Sequence, residues 1–203
     1  MNLQLTDQLT CPRCGPEYGL ILLADRVEAR RVYEGRLGCA KCRTHFVVKD
    51  GVADLVVGEP ADGAVDVAAS DPGRLAALMG VTEGPAMLLL LGPVERAAEE
   101  ISARLEDIEL IVAHGAIEAG VERMGVSRIR IGDMIPLRDG GMRAVAVANG
   151  SDAAQVRGAA RVCALAARVV ITNISDEVRA SLPQLGLHVL AEQGETLVAV
   201  RHG

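Results

Sequence analysis

The chain has 203 residues, half of them hydrophobic, and a net charge of −6, which suits one domain or a small domain joined to a medium one. Its aromatic side chains are confined to Tyr18, Tyr33 and Phe46, so the last three quarters of the chain offer no platform for stacking bases. With +1 on residues 1–58 and −7 on the remainder, no basic stripe is present either, and nucleic acid is not the expected partner.

The first ten residues are polar, with no apolar signal segment, and the run Met87 to Leu91 is far too short to span a bilayer. No membrane association is expected. After Leu3, Leu5 and Leu9 comes Cys11-Pro12-Arg13-Cys14, echoed by Cys39-Ala40-Lys41-Cys42 with 24 residues between. Each Cys-x-x-Cys folds into a tight knuckle, and two facing knuckles make a closed four-sulfur tetrahedron. That is the arrangement of a structural zinc in a β zinc ribbon. Two redox dithiols or two disulfides are the other reading. Zinc-binding thiolates want a reducing compartment, so the cytoplasm is expected. Lys41 and Lys49 are the only lysines, and a composition rich in Ala, Arg, Gly and Val points to a GC-rich, bacterial genome.

Between the knuckles, Tyr18 to Ala24 reads as a strand and Val32 to Leu37 as its partner, with the charged Asp25 to Arg31 as the hairpin's exposed end. His45 to Val48, an Asp50-Gly51 turn and an extended piece through Val57 form a second hairpin. His45 could orient a cysteine sulfur but reads first as an ordinary strand residue.

Leu9-Thr10-Cys11-Pro12-x-Cys14, then Cys39-x-x-Cys42, then Asp50-Gly51-Val52 resembles the small zinc-ribbon proteins that activate tRNA and protein methyltransferases. Bacterial relatives end in a similar "Tyr-Pro-Ile-x-Asp-Gly-Ile-Pro" phrase. Here His45-Phe46-Val47-Val48 replaces its first half and Ala53 stands in the place of its last proline. The resemblance covers about the first quarter of the chain. It implies zinc held by Cys11, Cys14, Cys39 and Cys42, and a ribbon edge that docks onto a catalytic partner by strand addition.

Glu59 to Asp71, with Pro60, Gly63 and Ala64 and few large apolar residues, reads as a linker. The texture then alternates. Helices are expected at Arg74–Gly80, Val94–Leu105, Ala116–Met124, Ser151–Ala166 (Ser151 as N-cap, Cys163 on the apolar side) and Asp176–Leu182. Strands are expected at Ala86–Leu91, Ile108–Ala113, Ser127–Ile131, Met142–Ala148 and Val169–Thr172. Leu187–Leu190 and Thr196–Val200 form a closing hairpin across Gly194. Apolar strands alternating with helices mean an α/β fold with a mostly parallel sheet covered on both faces.

The terminal antiparallel hairpin, Gly132-Asp133-x-Ile135-Pro136-Leu137-x-Asp139-Gly140 and Ala159-Ala160-Arg161-Val162 together resemble the Rossmann-like, S-adenosylmethionine-dependent methyltransferases over about residues 71–202. The resemblance implies cofactor contacts at Gly92, His114 and Asp133. Yet a glycine-rich turn is needed after the first strand, and Leu91-Gly92-Pro93-Val94-Glu95-Arg96 keeps one glycine and adds bulk. His114 stands where an acidic residue should hold the ribose. The reading is therefore a 1–58 zinc ribbon, a 59–71 linker and a 72–203 degenerate methyltransferase-like domain. Such a pseudoenzyme has no catalytic residues and does not bind S-adenosylmethionine. It acts through a protein partner or by self-association as a homodimer. An active methyltransferase with an atypical cofactor loop is the alternative. Cys163 reads as core, and His188 and His202 show no pattern.

Overall fold

The computed structural model describes residues 1–61, 71–92, 94–117 and 123–203; the side chain of Glu95 also lies outside that description. A 3-10 turn at Leu3–Asp7, capped by the Asn2 side chain, leads into β1 (Thr10–Cys11), β2 (Gly15–Glu28), β3 (Arg31–Cys39), β4 (His45–Lys49) and β5 (Val52–Leu55). These five strands pair as an antiparallel meander. Period-2 patterning turns Leu37, Phe46 and Val48 inward and Arg36 and Val47 outward. The expected Asp50-Gly51 turn is present, with both residues at positive φ (49° and 78°), as the tight type I′ hairpin requires.

The second part runs α1 (Pro72–Met79), β6 (Ala86–Leu91), α2 (Glu95–Ser102), β7 (Ile108–His114), β8 (Val126–Ile131), β9 (Met142–Val147), α3 (Ala153–Val162), β10 (Cys163–Thr172), α4 (Asp176–Ser181), β11 (Leu187–Gln193) and β12 (Thr196–Arg201). The described strands form one sheet in the order β1-β2-β3-β4-β5-β8-β7-β6-β9-β10-β12-β11. Pairing is parallel from β5 across to β10 and antiparallel at both ends. The mostly parallel sheet expected from the alternation is thus the centre of a mixed one.

The join is the informative feature. β5 lies parallel to β8 in register Val52↔Arg128, Ala53↔Ile129, Asp54↔Arg130 and Leu55↔Ile131. Asp54 and Arg130 face each other across it with a 2.7 Å ion pair, a favourable cross-strand match of opposite charges. The core is shared as well. Leu9, Leu37, Phe46 and Leu55 of the N-terminal part pack in one cluster with Ile129, Ile131, Val145 and Val156. A second cluster, on the opposite face, lies beneath α1 and α2.

Three local expectations are corrected. The β2–β3 hairpin is longer than expected, and while Asp25 to Arg30 are exposed as expected, Arg31 is buried at 2% exposure. Asp152, not Ser151, caps α3, accepting from Ala154 and Gln155 N–H. That helix stops at Val162, so Cys163 opens β10 as a buried strand residue. The Ala-Leu-Ala-Ala run that follows has good helix propensity, but the Arg161 guanidinium is clamped on the carbonyls of Ile135 and Leu137 and on Asp139, and pairing with β9 overrides propensity. Most of the helix expected at Ala116–Met124 lies outside the described residues.

Candidate metal centre and switch-point crevice

The two knuckles close on each other. Cys11 and Cys42 Sγ are 3.7 Å apart, Cys14 and Cys39 Sγ 3.9 Å, and all four sulfurs lie within 4.8 Å of one another. Four sulfurs at zinc-thiolate bond length around one ion would be separated by about 3.8 Å. The four could therefore hold a metal ion. None of them is in a disulfide, so the disulfide alternative is not what the fold contains. Contacts run between the knuckles too: Arg13 donates to the Thr44 hydroxyl at 3.2 Å, and the Lys41 ammonium sits 3.9 Å from the centre of the Tyr18 ring. His45 is exposed and pairs with Gly38 in the β3–β4 ladder, on the outer face of the strands.

The thiols are unequal. The Thr44 hydroxyl and amide donate to Cys42 and hold it down at about 6. Burial pushes Cys14 up to about 12 and Cys11 up from its ordinary range. At neutral pH an incoming ion must displace at least the Cys11 and Cys14 protons, while Cys42 is already largely thiolate. Thiol protons compete with metal, so affinity rises with pH and falls as pH drops. Chelator competition should show about a hundredfold loss per pH unit between pH 8 and 7, two protons' worth. A pH-independent constant would mean these thiols are not the ligands.

The other expected site lies at the C-terminal ends of the central strands. There Gly92 follows β6, His114 ends β7 and Asp133 follows β8, so adjacent parallel strands bring the three to one edge. The sheet order reverses between β6 and β9, which is where open α/β sheets place their ligand crevice. A void of about 20 Å³ lies beside it, between the sheet and α1 and α2, walled by Leu75, Val94, Ala97, Val170 and Thr172 among others and by none of Gly92, His114 and Asp133. This is room for about one water. Gly92 has φ +114°, and a Cβ there would stand 2.6 Å from that of Ala148, so the two strand ends are in contact. Pro93 lies outside the described residues, and the Glu95 side chain with it.

A strap crosses the neighbouring strand ends. Ala61 N–H donates to Ile131 O and its carbonyl accepts from Gly115 N–H, both at 3.0 Å. Residues 57–61 therefore cross the ends of β7 and β8. They press so near that a Cβ on Gly115 would meet Ala61 O at 2.5 Å, and one on Gly132 would meet Val57 O at 2.7 Å. His114 is buried at 5% exposure, and its Nδ1 accepts the Ala116 N–H at 3.3 Å. A neutral imidazole has one acceptor nitrogen, and here the backbone already uses it. Asp133 is exposed. The loop after β8 turns toward the ribbon, with Thr10 N–H donating to Pro136 O at 2.9 Å and Leu9 bridging Leu137.

Sequence reasoning missed a buried polar network at the other end of the sheet. Arg31 Nη1 donates to both Glu109 oxygens at 2.7 and 3.0 Å, and Ser127 Oγ to Glu109 Oε1 at 2.5 Å. Asn2 Nδ2 donates to Glu109 Oε2 at 2.9 Å. The signal was there: Glu109 is a lone carboxylate in an otherwise apolar strand, and a buried charge requires a partner.

No family model matches the chain and no curated protein matches it in sequence. Solved structures do. One is a chain of the complex between the Haloferax volcanii Trm112 methyltransferase activator and the protein named there as the methyltransferase. It has a TM-score of 0.53 and 14% identity, covering 64% of this chain and 88% of that one. A second is the Burkholderia thailandensis 1,6-didemethyltoxoflavin-N1-methyltransferase with S-adenosylhomocysteine, with a TM-score of 0.52, 9% identity and coverage of 65% and 76%. A third is the cyclase SpnF, with a TM-score of 0.51, 14% identity and coverage of 59% and 58%. The chain therefore has a methyltransferase-like α/β fold. A cyclase among these neighbours shows that the fold alone does not fix the reaction. No helix among the described residues is long and apolar enough to cross a membrane.

Proposed function

We propose that this chain is a non-catalytic fusion of an activator-like zinc ribbon (residues 1–58) with a degenerate methyltransferase-like domain (residues 72–203), acting through protein contacts. The strap carries this reading: residues 57–61 hydrogen-bond across the ends of β7 and β8, so near that a Cβ on Gly115 or Gly132 would collide with Ala61 O or Val57 O. The acceptor nitrogen of His114, already used by the Ala116 N–H, supports it further. The parallel β5–β8 seam supports the fusion, since a strand-adding ribbon placed there has its partner within the same chain. The ribbon's outer face keeps Ile21 (60% exposed), Leu23 and Val47 uncovered around Arg36, a surface suited to a protein partner. The four cysteines hold a structural zinc, because four thiolates leave no open coordination position.

Calorimetric titration with S-adenosylmethionine tests the reading. No binding is expected. Loss of a charged partner for the ribose alone costs about 1.5–3 kcal/mol, or one to two decades of affinity, and the strap adds to it. Micromolar binding that Asp133→Ala abolishes would overturn the proposal and restore an active methyltransferase.

A further inference from the structure

At the opposite edge of the sheet, beside the N-terminal ends of β6, β7 and β9, lies a groove of about 880 Å³. This volume is within the range of small-molecule sites. The N-terminal turn contributes Gln4 and Gln8 to its wall, and the central strands and α2 region contribute Met87, Leu105 and Ile108. Arg30 and Arg143 line it as well, and among the described residues neither guanidinium has a hydrogen-bond or carboxylate partner. Arg31 and Glu109 also line it, and their ion pair already neutralises the Glu109 carboxylate there. Asp107 stands exposed at the rim. The groove exists only while the β2–β3 hairpin is docked against the central strands, since residues from both form its walls.

Arg30 is held in place by unusual backbone. It and Ala29 form the two-residue turn between β2 and β3, with φ of 62° and 46°. Such turns favour Asn-Gly, and non-glycine residues in the left-handed region are uncommon. The chain keeps an arginine where glycine would be less strained, and that arginine faces the groove.

We propose that this groove binds a small organic anion with an apolar body, its carboxylate held by Arg30 and Arg143 and its hydrocarbon by Met87, which lies beside Arg143 on one face of the sheet. The site is independent of the switch-point crevice and of whether the chain is catalytic. Octanoate is the probe, titrated calorimetrically into the full-length, zinc-loaded protein, with octylamine of similar length as the cationic control. Octanoate should bind with a dissociation constant of about 0.1–1 mM, as expected for a ligand of this size; octylamine should not bind. Arg143→Ala should weaken octanoate binding by about tenfold, the loss of one charged hydrogen-bond partner. Arg30→Gly separates ligand binding from folding: it should weaken octanoate binding by a similar factor while leaving the melting temperature equal or higher. Failure of octanoate to bind at millimolar concentration would overturn the proposal. So would equal binding of octylamine, or octanoate affinity unchanged in both variants.

Discussion

Cys39→Ser should reduce the bound metal from about one ion per chain to near zero and lower the thermal midpoint by about 10 °C or more. Structural zinc contributes roughly 10–16 kcal/mol of apparent binding free energy in small finger peptides. A third of that is enough for such a shift in a chain of this length. The effect should spread beyond the knuckles, because the ribbon has no separate core. Leu9, Leu37, Phe46 and Leu55 pack in the same cluster as Ile129 and Ile131, and loosening β5 exposes the edge of β8. A chelator applied to the unmodified protein should give the same loss. Cys163→Ser is the control: Cys163 is buried at the start of β10, with its sulfur 3.6 Å from Arg168 O, and it should leave metal content unchanged. Unaltered metal and melting in Cys39→Ser would refute the four-cysteine centre.

Glu109→Ala should be nearly as damaging. Removing the carboxylate strands the buried Arg31 guanidinium (2% exposed) against Val126 O and Ser127. Breaking a buried pair on one side costs about 3–5 kcal/mol, or roughly 10 °C here. Arg31 lies at the far end of the β2–β3 hairpin and Glu109 near the start of β7, so the loss should also free the hairpin from the central strands. Hydrogen exchange along β2 and β3 would report it. The paired replacement Arg31→Met with Glu109→Leu should cost less than the sum of the single changes, since no charge is then left buried. Purely additive costs, or a Glu109→Ala cost below about 1 kcal/mol, would mean that the pair is not the latch described here.

The chemistry that depends on local spacing was legible in the sequence. Cys11, Cys14, Cys39 and Cys42 announced a four-thiolate centre because Cys-x-x-Cys is a local geometry, set by one tight turn. Ala86–Leu91 and the Asp50-Gly51 hairpin were equally readable, since an unbroken apolar run and a positive-φ turn each depend on a few neighbouring residues. The lone Gly92 and His114 were visible as departures from a cofactor-site pattern, but only as missing groups. Tertiary structure decided the rest. Whether the ribbon stands alone or extends the methyltransferase-like sheet depends on the β5–β8 pairing, between strands more than 70 residues apart. The close approach of the strand ends depends on Ala148 meeting Gly92 and on the strap reaching Gly115 and Ile131. The hairpin end is exposed from Asp25 to Arg30, as expected, but Arg31 became a buried latch because Glu109, distant in sequence, supplied its counter-charge. Periodicity along one segment records which face is apolar. It carries no information about what covers that face, since the partner surface is brought in by chain closure over long separations.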